Sequence, residues 1–248
     1  MNQTIETLLN HRSIRKFKDE PLTDEQISYI VQSAQLASTS SFIQAYTILG
    51  IKNPETKAKL AQLAGNQPYV EKNGHFFIFC ADLHRHTIAS GMEGKQINAA
   101  LETTEKFMVA AIDASLAAQN AAIAAESMKL GICYIGGIRN DIEKVSELLQ
   151  LPDYVVPLFG MAVGVPDTST DQKPRLPMGN VYFEETYPSD KEVEKGLSIY
   201  NNIISDYYNK RTGGERSDTW TEQMTRMLSK AGRKEMKDFI QKKGFLKT

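Results

Sequence analysis

Cysteine is scarce in this chain of 248 residues, and so is any imbalance of charge. The two cysteines, Cys80 and Cys133, each sit inside an apolar run, HFFIFCADL and GICYIGG. That placement excludes a disulfide framework and a zinc-cysteine cluster, and predicts buried, reduced thiols. A formal net charge of −1 removes any whole-molecule attraction to nucleic acid or acidic membranes. The familiar catalytic signatures are missing as well: there is no GxSxG elbow, no P-loop, no HExxH and no CxxC pair. His84-Arg-His86 offers two imidazoles with only Asp82 near them in sequence, so it reads as a surface turn and no metal site is expected. The opening MNQTIETLLN lacks the basic stretch and long apolar run of a secretion signal, so the expected location is cytoplasmic.

What is present is enough apolar content, 41%, to bury a sizeable core, and an alternation of helix and strand signals. Thr23-Asp-Glu-Gln26 has the form of a capping box, and the apolar spacing that follows predicts a helix over about 24–38. AYTILGIK predicts a strand over 45–52, and Asn53-Pro54 then opens a helix that stops at Gly65. HFFIFCADL (75–83) is a strand buried on both faces; ICYIG (132–136) and VVPLFGMAVG (155–164) complete a set of four. Asn140 and Glu143 mark the start of a further helix ending near Leu149. The longest helix is expected over 107–130, alanine-rich and stopped by Gly131, with Asp113, Gln119, Asn120 and Glu126 as its polar breaks. Its length would span a bilayer, but those polar residues make a central buried helix, with a further role at a subunit interface, the reading; no membrane partner is expected.

Charge is unevenly distributed along the chain. Residues 208–248 hold eleven Lys/Arg against five Asp/Glu, which leaves the preceding 207 at −7. The tail mixes acids with bases and has few aromatics around Trp220, so it is not a nucleic-acid arm. A positive annex of this kind does suit a phosphorylated cofactor or substrate. Other local clusters point the same way: HRSIRKF (11–17) packs three cations and a histidine, IGGIR (135–139) exposes backbone amides at a strand end, and KPR (173–175) holds two cations about a proline.

In order and separation, HRSIR (11–15), STSSFIQ (38–44), GNQPYV (65–70), CYIGGIRN (133–140), PLFGMAVG (157–164) and KPRLP (173–177) together resemble the nitroreductase family. Within it the likeness is to the NADPH-dependent, FMN-containing flavin reductase and oxygen-insensitive nitroreductase branch, and it extends into YYNKRTGGERSDTW (207–220). The resemblance implies an α+β fold with a central, mainly antiparallel sheet flanked by helices. It implies an intertwined homodimer with FMN in clefts at the subunit interface. One FMN-binding domain would cover 1–248, with 190–248 a C-terminal helical arm contributing to the dimer and the NADPH site. The implied activity is that of a flavoprotein oxidoreductase: NADPH is the reductant, and nitroaromatics, quinones or free flavin are reduced by a two-electron ping-pong mechanism. The alternative is a flavin carrier or sensor with little turnover.

Residue by residue, the resemblance assigns His11, Arg12, Ser13 and Arg15 to FMN, with Arg15 at the pyrimidine edge and His11 nearer the phosphate. A cation beside that edge favours negative charge developing there. Lys173 and Arg175 match phosphate and ribityl contacts, where Arg can grip two oxygens. Ser40, Ser41 and Gln44, from the other subunit, line the ring; Thr39 joins them, standing where relatives often have serine. Gln67 matches an amide that contacts the flavin or its ribityl chain. From CYIGG, Tyr134 and Ile135 are further FMN contacts, and Gly136 and Gly137 present N–H groups to the ring. Arg211 and Arg216, beside a flexible Gly213-Gly214 loop, match residues that grip the 2′-phosphate of NADPH. No side chain is required as the catalytic group, because the redox chemistry belongs to the cofactor.

Overall fold

A computed structural model of the chain describes residues 1–168 and 170–248. In chain order the elements are α1 (Gln3–Leu9), α2 (Asp24–Gln35), β1 (Tyr46–Ile51), α3 (Pro54–Leu63), α4 (Pro68–Glu71), β2 (His75–Asp82), α5 (His84–Met92), α6 (Asn98–Leu101), α7 (Thr104–Ser127), β3 (Gly131–Ile135), α8 (Ile142–Leu148), β4 (Val155–Gly164), α9 (Asp190–Thr212), α10 (Trp220–Leu228) and α11 (Met236–Lys242). They fall into two compact units, residues 1–170 with 233–248, and residues 171–232. The last sixteen residues thus pack within the first unit, whereas the sequence places the whole of 190–248 in one arm.

The first unit is built on a four-stranded sheet in the order β1-β2-β4-β3, every pair antiparallel. Every residue of β2 is buried, and strand alternation divides them between two cores. Phe77 and Phe79 face α2 and the alanines of α7, among them Ala114, Ala118, Ala121 and Ala125. Phe76, Ile78 and Cys80 face the other way, toward Leu60, Val70 and Val145. The methyl side chains of α7 let it lie close to β2 and α2, which is how a helix with the length and apolarity of a membrane span is accommodated in a globular fold. A third cluster brings Phe239, Ile240 and Phe245 from the C-terminal stretch onto Ala45, Ala81 and Leu83. Both thiols are free and buried, and burial pushes Cys80 up to about 12.

Several boundaries differ from the sequence expectation. The capping box of α2 is formed as expected, but the helix stops at Gln35, before the Ser/Thr-rich loop. The long helix is set three residues earlier than predicted: Thr103 caps its N-terminus through Lys106 N–H, and Met128 closes it. Lys129 (φ 62°) rather than Gly131 makes the left-handed exit, and Gly131 already belongs to β3. A Cβ at Gly131 would lie 2.6 Å from Ile14, so this glycine serves a close approach and not a helix stop. α8 is capped by Asp141, not Asn140. His84-Arg-His86 is the first turn of α5, with Asp82 accepting the His84 N–H at 2.9 Å.

The second unit centres on α9, whose buried Tyr200, Ile204 and Tyr208 pack with Leu176 and Trp220. A capping box at Ser189 and Glu192 starts α9, and Gly213 in the left-handed conformation (φ 62°) ends it.

Candidate functional site

The HRSIRKF stretch leaves α1 and runs along the free edge of β3. Ser13 bridges Ile132 in parallel, and Ile14 N–H donates to the Ile132 carbonyl at 2.8 Å. Farther on, Phe17 bridges Pro166 and Lys18 N–H reaches the Val165 carbonyl at 2.9 Å. Ile14 is buried against Gly131, while Arg15 and Lys16 are exposed. The His11 Nδ1 atom pairs with Glu126 Oε1 of α7 at 2.7 Å. Arg12 is half-buried, its Nη1 donating to the Thr170 carbonyl at 3.3 Å. Arg15 stands close enough to Cys133 for its charge to act on that thiol, although burial outweighs it and raises the thiol's pKa.

At the end of β3 the chain turns through Gly136 and Gly137. A Cβ on Gly137 would lie 2.5 Å from both the Ala64 carbonyl and Gln67 Nε2, so the glycine is required by protein packing. Gln67 is fixed there, donating to Ala64 O at 2.7 Å and accepting from the Tyr69 hydroxyl. Gly136 differs: a Cβ there would meet nothing nearer than Arg139 at 3.4 Å, and this side of the turn is open. The neighbouring Tyr134 donates its hydroxyl to the Ala118 carbonyl at 2.8 Å, and burial holds its pKa above the usual phenol range. Ile135 is buried on the opposite face of the sheet. The structure therefore brings together three separate motifs: HRSIR lies beside CYIGG along β3, and GNQPYV packs against the glycine turn.

It does not bring the fourth motif to the same place. The 39–44 loop leads into β1, the edge strand opposite β3, three inter-strand spacings or roughly 14 Å away. Thr39 is half-buried, while Ser40, Ser41 and Gln44 are exposed. Ser41, Phe42 and Gln44 all take positive φ (48°, 58° and 52°), a conformation that L-residues keep only when their surroundings impose it. Asp113, fully buried in α7, accepts the N–H groups of Ser40 and Ala45 through its two oxygens, each at 3.0 Å, while His86 Nε2 donates to the Ile43 carbonyl at 2.8 Å. Asp113 and Glu126 were visible in the sequence only as polar breaks in an alanine-rich helix. They are the anchors of the loop and of His11, thirteen residues or roughly 20 Å apart along α7.

In the second unit, Lys173 and Arg216 approach the same aromatic ring, with Lys173 Nζ 5.2 Å and Arg216 Cζ 3.8 Å from the centre of Tyr208. Arg216 is also held by Asp218, through Nε at 3.0 Å and Nη2 at 2.7 Å. Arg175 is exposed and donates to the Lys173 carbonyl at 3.2 Å. Arg211 lies in the last turn of α9 and not in the glycine loop, and bonds the Tyr207 hydroxyl at 3.0 Å.

The chain is similar to known proteins over its whole length. The nitroreductase family matches residues 8–165, and the nitroreductase family C-terminal domain matches residues 173–248. The FMN reductase (NADPH) of Bacillus subtilis strain 168 is 56% identical over 248 residues, covering 100% of both chains. Among solved structures, B. megaterium NfrA1 superposes with a TM-score of 0.98 at 64% identity, covering 99% of this chain and 100% of that one. The NADPH:FMN oxidoreductase from Vibrio harveyi complexed with NAD+ has a TM-score of 0.89 at 38% identity, covering 100% of both.

Proposed function

The chain belongs to the nitroreductase family, and we propose on that premise that it is an FMN-dependent oxidoreductase that takes electrons from NADPH and reduces electron-poor acceptors such as nitroaromatics, quinones or free flavin. The observation that carries the reading is the pairing of Ser13 with Ile132, which lays HRSIR alongside CYIGG on one strand edge.

The donor set there suits a phosphorylated flavin. Two guanidinium groups, an imidazole and a hydroxyl stand on one extended segment, and the open side of Gly136 admits a flat ring. When bound, FMN supplies a ring that accepts a hydride from reduced nicotinamide and returns two electrons to a second substrate. The protein's part is position and charge. Arg15 contributes a permanently charged group at the exposed edge of β3, Glu126 fixes the direction of the His11 ring, and Gln67 presents an amide whose rotation is blocked by Ala64 and Tyr69. Tyr134 and Ile135 fix the strand end from opposite faces of the sheet, the phenol committed to Ala118 and Ile135 packed with Cys133 and Ile138. Lys173 and Arg175 are assigned to the flavin phosphate and ribityl chain, and Arg211 and Arg216 to the 2′-phosphate of NADPH. Lys173 and Arg216 converge on Tyr208, and Asp218 orients Arg216 while offsetting part of its charge, so a phosphate would compete with that carboxylate for the guanidinium.

The active form is proposed to be a homodimer. Met108, Ile112 and Leu116, at successive turns of α7, are 52%, 52% and 44% exposed, an apolar stripe that a second chain would cover. The loop containing Thr39, Ser40, Ser41 and Gln44, held well away from His11 in its own chain, would then serve the partner's flavin.

The test is the visible spectrum of the purified protein. Flavin bands that NADPH bleaches without air, restored by a quinone or nitro compound with ping-pong kinetics, are the expected result. A protein that takes up no FMN, or a flavin that NADPH leaves oxidised, refutes it.

A further inference from the structure

A second cavity, of ≈ 740 Å³, opens in the first unit between the 17–22 segment, the start of α3 and the 71–75 stretch. None of the residues assigned to FMN or NADPH lines it. Lys57, only 8% exposed, forms part of its wall. The Lys57 ammonium donates to the Asn73 carbonyl at 3.0 Å, and no ion pair among the described residues includes it. A single neutral acceptor leaves a buried cation under-compensated, and such a group attracts an anion.

The surroundings compensate it only at a distance: the charge of Asp19 acts on the Lys57 ammonium without forming an ion pair. His75, 3% exposed and also lining the cavity, has a buried Nε2 with no hydrogen-bond partner. Burial, with the charges of Lys57 and Lys52, pushes His75 down to about 4, so it adds no counter-charge and no second cation. Lys52 is already paired with Asp24 at 2.9 Å. Of the remaining charged side chains, Lys18 is paired with Glu20 at 4.0 Å and Lys72 favours an anion, whereas Asp19 and Glu71 disfavour a ligand carrying more than a single negative charge. The rest of the wall is apolar, from Phe17, Pro21, Leu22, Ile27 and Pro54.

We propose that this cavity binds a small organic monocarboxylate, its carboxylate on the Lys57 ammonium and its apolar body against Leu22, Ile27 and Pro54. A compact hydrocarbon body distinguishes this ligand from the flat molecules that a flavin ring admits, and its single charge distinguishes it from a phosphate dianion.

The experiment is calorimetric titration of the FMN-loaded protein with cyclohexanecarboxylate, with cyclohexylmethanol and inorganic phosphate as comparison ligands. Saturable binding of one carboxylate per chain is expected, with an unchanged flavin absorption spectrum. Lys57→Met should weaken it at least tenfold. Ile27→Trp, which fills the cavity and keeps every charge, should do the same should Lys57→Met fail to fold. No saturable binding overturns the proposal, as does equal binding by a folded variant. The alcohol or phosphate binding as tightly, or a shifted flavin band, overturns it equally.

Discussion

Replacing Asp113 with alanine removes the buried carboxylate that ties down backbone N–H groups at both ends of the 39–44 loop, leaving His86 and Arg85 to hold it through the Ile43 and Gln44 carbonyls. Its carboxylate accepts two backbone N–H bonds, and charge-assisted bonds of this kind are worth about 1.5–3 kcal/mol each. The two will not be lost equally. Ser40 N–H is only partly buried and can recruit water, whereas Ala45 N–H is enclosed and would be left unsatisfied at close to its full desolvation cost. The net expectation is a loss of about 3 kcal/mol for Asp113→Ala. For Asp113→Asn the expectation is about half that, because the amide keeps one acceptor oxygen. Urea unfolding of the flavin-free protein at fixed chain concentration measures both, since bound cofactor and association each add apparent stability. Amide hydrogen exchange locates the change, with loss of protection at Ser40 and Ala45 ahead of the rest of α7. FMN affinity should fall as well, because the freed loop can no longer present Ser40, Ser41 and Gln44 in a fixed geometry. A loss below about 0.5 kcal/mol, or retained protection at Ala45, would refute the anchoring role.

Four other perturbations have defined outcomes. Arg15→Ala should weaken FMN binding roughly tenfold, the weight of one charge-assisted contact, with an unchanged circular dichroism spectrum because the side chain is exposed; unaltered flavin retention on dialysis removes Arg15 from the site. Gly137→Ala forces a Cβ to within 2.5 Å of Ala64 O and Gln67 Nε2, and should cost about 2 kcal/mol together with flavin retention; a stable, yellow variant contradicts the packing argument. Arg211→Ala should raise KM for NADPH far more than KM for NADH, and equal effects on the two reject its assignment to the 2′-phosphate. His75, held at about 4 in the folded chain against 6.5 in the free side chain, contributes stability that is fully present above pH 6.5 and lost as pH falls toward 4, because the unfolded chain takes up the proton first. The difference is about 3 kcal/mol, read as the extra acid sensitivity of wild type over His75→Phe in urea titrations, and parallel pH profiles rule it out.

How much of this could be read from the sequence depended on whether the signal was local. β2 was legible because eight consecutive residues are buried, and a run of that kind has few other readings. The start of α2 was legible because Thr23 and Gln26 cap each other within one turn. The end of α7 was not: a lysine took the left-handed position, and the following glycine was there to admit Ile14. Both residues obey ordinary chemistry, but the deciding contact comes from the far end of the chain. The same limit explains the site. HRSIR and CYIGGIRN could each be marked as anion-holding stretches, yet nothing in either says that one pairs with the other. Asp113 and Glu126 were conspicuous as acids in an alanine-rich helix, and their partners, loop amides and a histidine, became evident only in three dimensions.

α7 supplies the physical reason for proposing a two-chain site. Its carboxylates fix the 39–44 loop and His11, both proposed to bind flavin, at positions roughly 20 Å apart on one rigid rod, and a helix packed on the sheet through buried alanines cannot bend to bring them together. On the proposed assignment, a single chain would offer half of two sites and the whole of neither. The exposed Met108, Ile112 and Leu116 lie on the same helix, so its surface could meet a second copy related by twofold symmetry, each chain's loop then facing its partner's β3 edge. On this arrangement flavin binding and association are linked equilibria: whatever loosens the α7 stripe also lowers flavin affinity, and bound flavin opposes dissociation by the same free energy.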